Sequence, residues 1–129
     1  LLSYPVGMRV DQWLHAEYPS LRDVQREGMH QIQQENLQLL SMAMGRLTVP
    51  VPLLGMPAAY ALLADQLLGT GVYAIPYRGA GVMGMGEALR DAGAAVPQGP
   101  EHDRALIDAW AQALGMSSWY LWRPYKILS

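Results

Sequence analysis

The chain has 129 residues, 51% of them apolar and 16% charged, with a net charge of −2. That length fits one domain with a modest core, and the apolar content excludes wholesale disorder. A small negative charge without any basic run provides no field for gathering nucleic acid, and the absence of cysteine removes disulfides, thiolate metal sites and thiol nucleophiles.

Residues 8–18 are predicted to form a short helix with Val10, Trp13 and Leu14 on one side, ended by Pro19. A long helix follows over 20–45, opened by Ser20 with Asp23 where a capping-box acid would stand. Leu21, Val24, Gly28, Ile32 and Leu39 recur at helical spacing, while Gln25, Gln31, Gln34, Glu35 and Gln38 fill the other side. Beyond Leu37 the polar side vanishes, so Leu37, Leu40 and Met44 are expected to be covered and Gln31 and Gln38 exposed. Two prolines in 47–54 reduce it to an edge strand or an extended connector. Pro57 suits the first turn of a helix reaching Leu68, closed by Gly69 and Gly71. The apolar run 72–76 reads as a short buried strand, and a helix is expected from Gly84 to Ala92. Pro100, Glu101 and Asp103 open the last helix, which Gly115 stops after Leu114. The tail over 117–129 is aromatic and extended.

These elements add up to an α+β fold: a predominantly helical single domain with a small sheet from 47–54, 72–76 and 118–123. The apolar stretch 49–77 is broken by Pro50, Pro52, Asp65, Gln66, Gly69 and Gly71, so it reads as β-α-β in place of a membrane span.

The turn Gly79-Ala80-Gly81-Val82-Met83-Gly84 resembles the phosphate-binding turn of the hydroxyacid and 3-hydroxyacyl-CoA dehydrogenases, and Ala88, Ala92 and Gly93 echo the small residues that follow it there. The resemblance implies a site for NAD or NADP on Gly79, Gly81 and Gly84, with Arg78 as a phosphate partner. The residues around it point elsewhere. Pro76, Tyr77 and Arg78 separate the turn from the apolar run, and Ala95-Val96 leads into a Pro-Gln-Gly-Pro loop where a second strand belongs. Glu87 adds a negative charge in the first helical turn, where phosphate would lie. A structural glycine bend is therefore the preferred reading, and the dinucleotide enzyme is the alternative.

Other chemistry is sparse. Glu27-x-x-His30 and the Asp11/His15 pair offer helical ligand spacing, but a di-metal bundle needs two such motifs with two further glutamates. Glu101, His102 and Asp103 fit helix capping. No G-x-S-x-G or H-E-x-x-H is present, and Ser117 and Ser118 have no evident base. Asp65, set among apolar residues, is either a buried acid or the polar edge of an amphipathic helix.

The tail concentrates Trp119, Trp122, Arg123 and Tyr125, with Lys126 beside them. These are residue types enriched where a partner or a membrane interface desolvates a surface. The expected function is thus a non-catalytic accessory subunit of a larger protein complex, contacting other protein subunits through the apolar end of the 20–45 helix and the tail, with peripheral membrane contact as an option. A first residue of Leu instead of Met suits either a mitochondrial or other organellar chain after removal of a targeting peptide, or a trimmed boundary.

Overall fold

The computed structural model describes residues 4–44 and 54–115; for Met44 it gives the backbone alone. Six α-helices follow in order: α1 (Tyr4–Glu17), α2 (Arg22–Met44), α3 (Gly55–Leu68), α4 (Ile75–Gly79), α5 (Met83–Ala94) and α6 (Asp103–Ala113). Short 3-10 turns at Pro19–Leu21 and Pro100–His102 lead into α2 and α6.

Helix α3 is the spine. Every residue from Gly55 to Asp65 is buried except Leu62, which is half-buried, as expected of a helix apolar all round. Its alanines allow α5 to lie directly against it. A Cβ on Gly86 of α5 would sit 2.9 Å from backbone and side-chain atoms of Ala58 and from the Ala59 nitrogen. Around this crossing Leu89, Leu106, Trp110 and Leu114 pack on Met56 and Ala59, while Leu40, Tyr77, Val82 and Met83 pack on Ala58 and Ala61. A third cluster joins Met29 of α2 to Tyr60, Leu63 and Ala64, with Tyr4 and Met8 of α1 against it.

The expected α+β fold is corrected to an all-α helical bundle, since no strand occurs among the described residues. The run 72–76 is a turn entering α4, with Pro76 in that helix's first turn. The Asp65 carboxylate explains why: it accepts hydrogen bonds from the Tyr73 and Ala74 backbone N–H groups at 3.0 Å each, so those donors are taken from any strand ladder. The proposed strands at 47–54 and 118–123 lie outside the described residues, save Leu54, which leads into α3.

The inward faces of the first two helices also differ from their apolar spacing. In α1 Tyr4, Pro5 and Met8 turn inward, while Val10 and Trp13 are 48% and 54% exposed. In α2 the buried row is Met29, Gln33, Asn36 and Leu40, and Leu21, Val24 and Ile32 face out. The far end of α2 follows expectation in part: Leu40 is buried, Leu37 half-buried, and Gln31 and Gln38 are exposed, but Met42 is 49% exposed and the Met44 side chain is not among those described. Gly69 closes α3 and Gly115 follows α6, both in left-handed conformation, matching the helix stops read from the sequence.

Candidate functional site

The glycine turn joins two helices. Gly79 is the last residue of α4, Gly81 carries the bend at φ 76°, and Gly84 lies exposed inside α5. A dinucleotide turn instead leaves a strand and points its free amides at the pyrophosphate. Here the Gly81 N–H donates to the Arg78 carbonyl and the Val82 N–H to the Tyr77 carbonyl, each at 3.1 Å, so both amides serve the joint itself. Arg78, the expected phosphate partner, reaches across the joint to Glu87 at 3.3 Å. Both side chains are about half exposed, so the pair contributes little stability, yet it places a carboxylate beside the cation that phosphate would need.

The histidine motifs stay apart. His30 Nδ1 meets the Tyr73 hydroxyl at 2.9 Å, and His102 lies 3.6 Å from Glu101. Among the described residues no three His, Asp or Glu side chains gather as metal ligands. Trp119, Trp122, Arg123 and Tyr125, expected to bind a partner, lie outside the described residues.

Two features emerge that spacing alone did not single out. The first is a buried polar row on α2. Gln33 is 1% exposed and Asn36 8%, and the Tyr4 hydroxyl donates to Asn36 Oδ1 at 3.1 Å. Both amide atoms of Gln33, the Asn36 amide nitrogen and the hydroxyls of Tyr60 and Tyr77 have no partner within hydrogen-bond geometry. Burial raises the pKa of Tyr4, Tyr60 and Tyr77, so these phenols remain protonated. The Asp11 carboxylate adds to the effect at Tyr60, being near enough to act on its charge although the two do not form a well-shaped hydrogen bond. The Asp11 carboxyl is itself raised by burial.

The second feature is the outer face of α1 and α2. Of nine large apolar side chains left exposed among the described residues, seven fall between Val10 and Met42. Trp13 and Tyr18 meet edge to face with ring centroids 5.2 Å apart, close to the 3-10 turn joining the two helices. Leu21 at the end of that turn leads into Val24 and Ile32 of α2, and Gly28 lies in the same stripe. The signal was present in the sequence as the 21-24-28-32 spacing; what spacing could not tell was that the described residues leave this stripe exposed.

Among the described residues no helix is long and apolar enough to cross a membrane. Comparison of the chain with protein-family models, curated proteins and solved structures finds no match.

Proposed function

We propose that this chain is a non-catalytic interaction module within a larger protein assembly, docking through the outer face of α1 and α2. The observation that carries this reading is the concentration of exposed apolar side chains there, with Val24 69% and Trp13 54% exposed. Scattered surface apolar residues are ordinary, whereas a contiguous patch rimmed by polar groups is typical of an interaction site. Trp and Tyr are also the residues over-represented among binding hot spots. The rim favours a protein over an anionic lipid surface: exposed Glu17, Asp23 and Glu27 stand beside Arg22 and Arg26, giving both signs without a basic excess. The tail residues Trp119, Trp122, Arg123 and Tyr125 remain part of the proposal as a second contact.

The test is affinity purification of the tagged native chain against a Trp13→Glu/Val24→Glu variant. The reading expects unchanged cooperative melting for the variant and loss of the co-purifying subunits. Retention of those subunits by the variant, or unfolding of the isolated domain, would remove the α1–α2 face as the contact.

A further inference from the structure

A cleft of about 270 Å³ opens between α1, α3, α5 and α6, on a different side of α1 from Val10 and Trp13. At about 30 Å³ per water-sized group, it suits a molecule of roughly nine non-hydrogen atoms. Its floor is apolar and fixed: Leu63, Leu89 and Leu106 line it, each at most 4% exposed, and all three belong to the main packing clusters. Its polar lining has one sign. Arg9 and Arg90 line the cleft with three glutamines, and none of the lining residues is an aspartate or glutamate, although acids outnumber bases in the chain.

The two arginines have different duties. Arg9 donates to the carbonyls of Gly93, Val96 and Pro97 and so closes the end of α5. Arg90 uses Nε for Asp91 at 3.2 Å, and its two η nitrogens have no protein partner among the described residues. Trp110 supplies a further donor. It is 4% exposed and lines the cleft, and its indole N–H has no acceptor among the described residues. Gly93 stands beside it, since a Cβ there would lie 3.2 Å from Nε1.

We propose that this cleft binds a small organic acid with a short alkyl chain. Its carboxylate accepts hydrogen bonds from Arg90 and the Trp110 indole, and its chain lies on Leu63, Leu89 and Leu106. An apolar slot with a few convergent polar groups is the usual form of a small-molecule site. Cationic and neutral donors without a carboxylate in the lining select an anion. The proposal is independent of the α1–α2 docking face.

Hexanoate titration tests it, read by the indole ¹⁵N–¹H resonance of Trp110, assigned with a Trp110→Phe variant. The expected result is a saturable shift in the millimolar range, with hexan-1-ol binding at least about tenfold more weakly. Arg90→Gln should weaken hexanoate by roughly tenfold, the loss of one charge-assisted contact, without altering the melting temperature. No saturable shift with hexanoate overturns the site. Equal binding of hexanoate and hexan-1-ol, or an Arg90→Gln variant with full affinity, overturns the carboxylate assignment.

Discussion

Asp65 lies near the end of α3 and acts on the chain that follows. Its side chain accepts from Thr70 Oγ1 at 2.7 Å and from the backbone N–H groups of Tyr73 and Ala74, while its own carbonyl accepts from the Thr70 N–H. One carboxylate therefore fixes the turn and helps open α4, a capping task performed from outside that helix. The sequence offered two readings of this acid; the structure makes it buried and fully engaged with its own loop. Asp65→Ala leaves one buried and one part-buried N–H group without their acceptor and should cost about 2–3 kcal/mol in denaturant unfolding. Asp65→Asn keeps one carbonyl-type acceptor and should cost less, so equal losses for the two variants would contradict the account. Tyr77 gives a pH prediction at the same scale. Burial pushes its hydroxyl from an ordinary 10.0 up to about 12, so between those values the folded chain keeps a proton that the unfolded chain has released. Stability is then constant below pH 10 on this account and falls as pH rises towards 12, by on the order of 1 kcal/mol per pH unit. Tyr77→Phe removes an unpaired hydroxyl, so it should be near neutral at pH 7 and show a shallower alkaline loss in urea melts.

Helix α2 shows what can and cannot be read from spacing. Its existence was legible from the Pro19-Ser20 start and the long helical period, and the burial of Leu40 from the thinning of polar residues after Leu37, although Met42 in the same end is exposed. The face was not legible, because α2 carries two candidate stripes. Leu21, Val24 and Ile32 form the more apolar one, yet the fold buries Met29, Gln33, Asn36 and Leu40. Counting apolar positions ranks the first stripe higher, whereas the observed face meets what α3 and α1 offer: Met29 packs with Tyr60, Leu63 and Ala64, and the Tyr4 hydroxyl donates to Asn36. The same limit applies to 72–76, where a short apolar run is compatible with a strand or a turn until Asp65 claims its amides. A paired substitution reads the orientation directly. Leu40→Asp buries an unpaired charge and should lower stability by several kcal/mol, about 3 or more. Val24→Asp, at a side chain 69% exposed, should stay within about 0.5 kcal/mol. Thermal unfolding of both variants checks this, and reversed costs would mean that α2 presents its other face to the body.

At the scale of the whole molecule the bundle has one tight centre, α3 against α5, and a first helix that packs on it through Tyr4 and Met8 and is tied to the end of α5 as well. No apolar period announces that tie. The Arg9 guanidinium reaches carbonyls 84 to 88 residues away, at distances of 2.6 to 3.0 Å. A cation at the end of α5 adds to the Val96 N–H at the Gly93 carbonyl, takes the Val96 and Pro97 carbonyls beyond the helix and complements the helix dipole, and a single arginine in an early helix gives no sequence sign of that target. The same architecture bears on the glycine turn. A joint between α4 and α5 whose amides are occupied, with Arg78 paired to Glu87, offers a dinucleotide no free amides at Gly81 and Val82. NAD or NADP should therefore produce no saturable rise in melting temperature, whereas a true site would stabilise the fold by about 2.7 kcal/mol at a hundredfold excess over its Kd. The Arg9 tie predicts a graded response. Arg9→Ala removes three hydrogen bonds from a charged donor and should cost about 1.5–3 kcal/mol or more. Because that tie holds α1 beside the packing of Tyr4 and Met8, its loss should quicken native-state hydrogen exchange first in α1 and in the end of α5 near Gly93. Amides of α3 around Ala58, held by the Gly86 crossing, should change only by the global loss. Uniform acceleration across all six helices would show that α1 is an inseparable part of the cooperative core, and the tie would then be one contact among many.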